Sequence, residues 1–254
     1  MRLLLSALRC EKGAIDRNLA EHRRVLRGAH DAGCALALLP EMSLTGSADP
    51  AVDPERLVPL EHPAVGELVA ATAELGVAAV FGIAERTPDG PFITQVVAAD
   101  GRVVGVQRKR HLGEGEEAFR ASQTDAVFDV AGTRFAVAIC AEGGTDRPFA
   151  YAASAGAGLV CFPAAPGLYG PRRSAADEWR AGWDWWCGSA LGDARRHARE
   201  RGLWVAIATQ AGATIDEDFP GLAALVNPRG EIVAQSPDWL AADLVVDVPV
   251  PTTY

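Results

Sequence analysis

The chain has 254 residues, of which 49% are hydrophobic and 22% charged, and its formal net charge is -9. This size and apolar content suffice for one large core, so we expect a single domain over residues 1–254. The negative charge disfavours a nucleic-acid or anionic-membrane surface, and no apolar run is long enough to cross a bilayer, so we expect small-molecule partners and no membrane contact. The five cysteines never form a CxxC motif, which is typical of free thiols in a reducing cytoplasm.

Strands and helices alternate along the first half of the chain, judged by apolar periodicity and by the glycines and prolines between segments. The predicted elements are a strand at 2–8, a helix at 14–33, a strand at 34–40, a helix at 63–76, a strand at 77–86 and a hairpin at 92–109. The hairpin is expected to turn at Asp100–Gly101, because this dipeptide tolerates the positive φ angles that tight hairpin turns require.

The second half continues in the same way and closes on a hairpin. Its predicted elements are a hairpin at 126–140, a helix at 148–156, a strand at 157–164, a long helix at about 177–201, a strand at 203–212 and a hairpin at 221–236. Strands interleaved with both hairpins and helices predict mixed sheets covered by helices, in the α/β or α+β class. The two long irregular stretches, 45–59 and 163–173, are where we expect a pocket to be shaped.

One predicted strand ends on a cysteine, in the run RFAVAICAEGG at 134–144. Most free cysteines are small buried apolar residues, which is the plain structural interpretation of Cys140. However, Gly143, Gly144 and a helix starting near Pro148 place this one on a sharp turn at the end of a sheet. The free N–H groups of such a turn would favour a thiolate and could also hold an oxyanion.

Two other predicted strands end on charged side chains. Glu41 follows the strand at 34–40, and Lys109 ends the hairpin at 92–109. Because strand ends of one sheet tend to meet, we expect the carboxylate, the ammonium and the Cys140 thiol to share a pocket. There Glu41 could take a proton, Lys109 could stabilise a tetrahedral intermediate, and Cys140 could form a thioester.

These segments resemble the signatures of the nitrilase, or carbon–nitrogen hydrolase, superfamily. LLPEMSLTG around Glu41, RKRHL around Lys109 and VAICAEGG around Cys140 stand in the family's order. The similarity covers nearly the whole chain, through RNL at 17–19, SAGAGLVCFPAA at 154–165, ARERG at 198–202 and PGLAALVNPRGEIVAQ at 220–235. The resemblance implies a four-layer α-β-β-α sandwich, assembly as a homodimer or a higher homo-oligomer, and no metal or organic cofactor.

The resemblance also implies roles for individual residues. In the family, the residues matching Glu41, Lys109 and Cys140 act as general base, stabiliser of the intermediate and nucleophile, and the backbone N–H matching Ala141 binds the oxyanion.

Many members have a second glutamate in the loop after the lysine, where it orients the catalytic groups. The candidates are Glu114, Glu116 and Glu117, and we favour Glu116 by its spacing to Phe119. Some positions depart from the family: Ala141 and Ala223 replace a frequent aromatic residue and a frequent serine. These departures leave the triad intact and the subfamily open.

The long helix carries a cluster of tryptophans. Trp179, Trp183 and Trp186 fall on one helical face, which predicts a stripe facing the core or another subunit. Trp185 lies off that stripe and is the better candidate for a substrate pocket.

Other polar residues leave two interpretations open. Arg172 and Arg173 could bind a substrate carboxylate, and they are equally typical of a solvated helix start. The histidines show no metal-ligand spacing, so we predict no metal site. We expect four of them to be surface residues, namely His22, His30, His62 and His197.

The sequence therefore predicts a thiol hydrolase that cleaves a non-peptide carbon–nitrogen bond, in a small amide, through a thioester on Cys140. It would release ammonia or an amine. A nitrile hydrolase and a soluble N-acyltransferase of the same superfamily are alternatives, and the transferase would form product on an added amine in preference to water. A non-catalytic scaffold is a third, disfavoured because an unused buried ion pair is costly to keep.

Overall fold

The computed structural model describes residues 1–249 of the chain, which form fourteen strands and four α-helices. The helices are α1 Ile15–Asp31, α2 Pro63–Leu75, α3 Arg147–Ser154 and α4 Ala176–Arg201. The first seven strands are β1 Arg2–Ala7, β2 Leu36–Leu38, β3 Ala78–Thr87, β4 Gly90–Ala99, β5 Arg102–Arg108, β6 Val127–Val130 and β7 Thr133–Val137. The others are β8 Leu159–Ala164, β9 Trp204–Thr209, β10 Ala211–Ala213, β11 Asp218–Pro220, β12 Ala223–Val226, β13 Ile232–Gln235 and β14 Ala242–Asp247.

Twelve of these strands form two six-stranded sheets of similar design. Their strand orders are β14-β1-β2-β3-β4-β5 and β13-β12-β9-β8-β7-β6. Each sheet has three parallel strands at its centre, β1-β2-β3 in one and β7-β8-β9 in the other. Antiparallel strands extend each sheet on both sides of these three. The strands β2 and β5, which precede Glu41 and Lys109, belong to the first sheet, whereas β7, which precedes Cys140, belongs to the second.

The alternation of side chains along the strands builds the layers. Leu3 and Leu5 of β1 face the other sheet, whereas Leu4 between them packs under α1 and α2. In the second sheet Phe135 of β7 likewise faces the first sheet, while Ala136 packs under α3 and α4. Successive residues of a strand point to opposite faces, so each strand serves two cores. The predicted α-β-β-α sandwich is confirmed.

Most predicted elements are present within a few residues of their expected bounds. The hairpin β4–β5 turns at Asp100 and Gly101, whose φ angles of 52° and 74° match the expected tight turn. The pair β10–β11 and the strand β14 were not predicted. None of the helices within residues 1–249 has the length and hydrophobicity that crossing a bilayer requires.

Two histidines expected at the surface are fully buried, and that expectation was wrong. His197 stacks on Phe149 with ring centroids 3.8 Å apart, between α3 and α4. His22 lies under the first sheet, where a carbonyl and a hydroxyl satisfy both of its ring nitrogens. In His197 only Nε2 has a carbonyl partner, that of Gly143 at 3.0 Å, and Nδ1 forms no hydrogen bond within residues 1–249, so ring stacking accompanies its burial. Sequence spacing reveals neither kind of partner.

Candidate active site

Glu41, Lys109 and Cys140 follow β2, β5 and β7, and the fold brings these strand ends together. The Lys109 ammonium donates a hydrogen bond of 2.7 Å to Oε1 of Glu41, and both side chains are at most 1% exposed. Cys140 lies close enough for the charges of both to act on its thiol. The three side chains predicted to share a pocket are therefore neighbours.

Glu116 is the glutamate of the following loop that reaches this group. Its Oε1 accepts a hydrogen bond of 2.6 Å from Lys109 Nζ, and its Oε2 accepts one of 2.6 Å from the Gly113 N–H. Glu114 and Glu117 are exposed, and Glu117 accepts from the Gly115 N–H instead. The structure thus places Glu116, of the three candidates, against the lysine, whose ammonium lies between two carboxylates.

The turn that carries Glu41 is held from several sides. Its Oε2 accepts a hydrogen bond of 2.9 Å from the Ala165 N–H, and its carbonyl accepts one of 2.8 Å from the Gln210 amide. The backbone also passes very close to β3, because a Cβ on Gly82 would lie 2.2 Å from the nitrogen of Met42. Only glycine permits this approach, so the position of the carboxylate depends on it.

Sequence reasoning missed a buried network beneath this turn. His22 donates to the Asn18 carbonyl, and its other nitrogen lies 2.9 Å from the Ser43 hydroxyl, which also accepts from the Gly82 N–H. Burial lowers the pKa of His22 to about 4, so the ring is neutral. The Asn18 amide donates to the Leu44 carbonyl and ties α1 to the turn. The RNL segment at 17–19, which contains Asn18, is the sequence signal that could have indicated this link between α1 and the Glu41 turn.

Cys140 begins a short 3-10 turn and has a φ of 46°, a strained angle for a residue with a side chain. Glu142 fixes this turn by accepting hydrogen bonds from the N–H groups of Ile139, at 2.8 Å, and Arg110, at 2.5 Å. Its carboxylate also pairs with the buried Arg110 guanidinium, which bonds Asp125 at 2.8 Å. The ion pair Glu142–Arg110 therefore joins the Cys140 turn to the residue after Lys109.

Burial governs the protonation of the site. Burial raises the pKa of the Cys140 thiol, and Glu41 raises it further although Lys109 opposes the shift. The resting group is thus a thiol, and not the thiolate that the turn was expected to favour. Burial also raises the pKa of the Glu41 carboxyl, which makes it a better proton acceptor. Burial alone would lower the pKa of Lys109, but the neighbouring acids outweigh it and keep the ammonium charged.

A cavity of about 490 Å³ opens above the thiol, and we call it the Cys140 cavity. Residues of the two predicted irregular stretches line it, together with Ala141, Glu116 and one side of α4. Trp185 forms part of its wall and is 51% exposed. Trp186 is buried as expected of the stripe, whereas Trp179 and Trp183 are only partly buried.

The two arginines considered for a substrate carboxylate are engaged elsewhere. Arg172 pairs with Asp218 at 2.8 Å and does not line the Cys140 cavity. Arg173 donates to the carbonyls of Leu168 and Tyr169, at 2.7 and 2.8 Å, beside a second cavity. Their guanidinium groups hold the 163–173 segment in place.

A model of the carbon–nitrogen hydrolase family matches residues 7–253. The chain belongs to this family. It is therefore a carbon–nitrogen hydrolase, as the resemblance of the three segments implied. Among curated protein sequences none matches the chain.

Several solved structures share its fold. An amidase from Nesterenkonia sp. superposes with a TM-score of 0.82 at 24% identity, covering 98% of this chain and 90% of that chain. A mutant of the amidase from Nesterenkonia sp. AN1, with acrylamide added to its active-site cysteine, gives 0.82 at 23%, covering 98% and 93%. A glutamine-dependent NAD+ synthetase from Acinetobacter baumannii gives 0.76 at 21%, covering 96% of this chain and 44% of that chain.

Proposed function

We propose that this carbon–nitrogen hydrolase is an amidase that cleaves a small amide through a thioester on Cys140. The observation that carries the proposal is the Lys109 ammonium, held between Glu41 and Glu116 beside the thiol at the base of the Cys140 cavity. A thiol, a carboxylate base and a fixed cation are the groups that acyl transfer from an amide requires.

In the first half-reaction Glu41 takes the thiol proton as the sulfur attacks the amide carbon. The negative charge that develops on the carbonyl oxygen is stabilised by Lys109 and by the backbone N–H of Ala141. Collapse of the tetrahedral intermediate breaks the carbon–nitrogen bond. The protonated Glu41 gives its proton to the leaving nitrogen, and ammonia or an amine departs.

In the second half-reaction water hydrolyses the thioester. Glu41, again a carboxylate, takes a proton from the water as its oxygen attacks the thioester carbon. The carbon–sulfur bond then breaks, the sulfur recovers its proton, and the carboxylic acid is released. Glu116 takes no part in bond making. Its two hydrogen bonds hold Lys109 and the 113–116 loop in position.

From the sequence alone we further propose that the protein is cytoplasmic and assembles as a homodimer or a higher homo-oligomer. The free cysteines favour the cytoplasm, and the resemblance to the family favours a homodimer. The wild-type protein in size-exclusion chromatography with light scattering gives the oligomeric state directly.

Ammonia release tests the proposed activity. A panel of aliphatic amides, ω-amides, carbamoyl amino acids and nitriles is assayed with the wild type and with Cys140→Ala, each with and without an added amine. We expect release from amides by the wild type alone. Release from nitriles only, or product formed on the amine in preference to water, would contradict an amidase.

A further inference from the structure

The Cys140 cavity carries an uneven charge. Among the side chains of residues 1–249 that line it, five are carboxylates and one is an ammonium, that of Lys12. Glu116 is bound to Lys109, and the other four acids come from separate segments of the chain: Asp49, Glu114, Asp193 and Glu217.

Lys12, the cation among the lining residues of 1–249, is already paired. Lys12 is bound to Asp216, and its ammonium also lies 4.0 Å from Oε2 of Glu217. Two carboxylates therefore face this ammonium, and a substrate carboxylate would have to displace one of them. Neither arginine of the 163–173 segment lines this cavity: Arg172 pairs with Asp218, and Arg173 donates to backbone carbonyls.

Glu217 has unused capacity to bind a ligand. Its Oε2 is buried and accepts no hydrogen bond from any residue within 1–249. Burial raises the pKa of this carboxyl, which is the cost of holding the charge away from water. The side chain as a whole lines the cavity and is 39% exposed, so a donor cation would bind the accessible part of this carboxylate and offset that cost.

Two aromatic rings complete the wall. Tyr169 and Trp185 both line the cavity and are 68% and 51% exposed. Burial raises the pKa of the Tyr169 hydroxyl, and the charges of Glu114, Glu116 and Glu217, which line the same cavity, add to the shift. Aromatic faces attract cations, whereas they offer nothing to a carboxylate.

We propose that the Cys140 cavity selects amides whose far end carries a positive charge, an ammonium or a guanidinium, with Glu217 as the main partner of that charge. This specificity rests on the proposed amidase function. The cation would lie between Glu217 and the Tyr169 and Trp185 rings, while Asp49, Glu114 and Asp193 make the surrounding potential negative. The same potential would disfavour substrates that end in a carboxylate.

Three amides of equal length test the selection: valeramide, its ω-amino derivative and the half-amide of glutaric acid. For the wild type we expect kcat/KM for the cationic amide to exceed that for valeramide by about tenfold, with the half-amide the poorest substrate. In Glu217→Gln the ratio of cationic to neutral should fall by about tenfold. Glu67→Gln makes the same chemical change at an exposed site on α2 and should leave the ratio unaltered.

Binding to Cys140→Ala separates this inference from the proposed function. Titration calorimetry should show the ω-amino amide binding more tightly than valeramide, with an advantage that shrinks as salt is added. That result supports the cationic site even if no amide is hydrolysed, in which case the amidase proposal alone fails. Equal binding and equal turnover of the cationic and neutral amides would overturn the inference. Preference for the half-amide would also overturn it, and would assign specificity to Lys12.

Discussion

Loss of the ion pair Glu142–Arg110 should destabilise the enzyme more than loss of any ion pair on its surface. Both side chains are at most 2% exposed, so Glu142→Gln leaves a buried guanidinium with one carboxylate less. Removing one partner of a buried pair costs about 3–5 kcal/mol. Asp125 still bonds Arg110 at 2.8 Å, so we expect the lower end of that range, about 3 kcal/mol, from a total stability on the order of 5–15 kcal/mol.

Activity should fall as well, because Glu142 also accepts hydrogen bonds from the N–H groups of Ile139 and Arg110. Ile139 directly precedes Cys140, and Arg110 directly follows Lys109. Loosening that turn should lower kcat by at least about tenfold, with a smaller change in KM.

Urea unfolding and steady-state kinetics of Glu142→Gln measure both effects. The matched control is Glu74→Gln, since Glu74 is 63% exposed and pairs with Arg23 at 3.5 Å. A surface pair of this kind contributes less than about 1 kcal/mol. If Glu142→Gln loses no more stability and no more kcat than Glu74→Gln, Glu142 does not hold the Cys140 turn.

Four further predictions concern the proposed base, the thiol, a close backbone approach and the cavity wall. Burial raises the pKa of Glu41, so this carboxylate should become protonated already above the ordinary glutamate pKa of about 4.3. As the pH is lowered, kcat/KM should therefore decline before that pH is reached. Iodoacetamide alkylation of Cys140, followed by peptide mapping, measures the thiolate fraction. Because the pKa of this thiol is raised, the alkylation rate should still increase with pH above about 8.5. A rate that stops increasing near neutral pH would be inconsistent with a resting thiol. Gly82→Ala would place a Cβ 2.2 Å from a backbone nitrogen of the Glu41 turn. It should lower the free energy of urea unfolding by about 1–3 kcal/mol and should also lower activity. The control Gly66→Ala, with nothing within 4 Å of the new Cβ, should leave stability unchanged or raise it. Trp185→Ala should raise KM severalfold while unfolding at the same urea concentration, because the ring is 51% exposed on the cavity wall; an unchanged KM would remove Trp185 from the site.

The sequence is most informative about the site where strands end. Glu41, Lys109 and Cys140 each stand at the end of an apolar run, and on this ground their proximity was predicted. The reason was incomplete, because β2 and β5 belong to one sheet and β7 to the other, so the packing of the two sheets brings Cys140 to the other two residues. The choice of Glu116 depended on its spacing from Phe119, and the structure places that carboxylate, among the three candidates, on Lys109.

Non-local partners could not be predicted in the same way. The strand β14 pairs with β1, whose first residue Arg2 lies opposite Asp247, and no local pattern specifies such a distant register. The buried pair Glu142–Arg110 was missed for the same reason, since 32 positions separate the two residues. The charge of the Cys140 cavity arises only when four distant segments converge, so it was invisible as a motif.

The acyl state of Cys140 during turnover tests the catalytic assignment most directly. The wild type and Cys140→Ala are mixed with a substrate amide, quenched in acid and measured by intact mass spectrometry with peptide mapping. We predict a transient increase in mass equal to the acyl group, located on Cys140 and absent from Cys140→Ala. Turnover with no adduct, or an adduct on another cysteine, would contradict a thioester mechanism at this site.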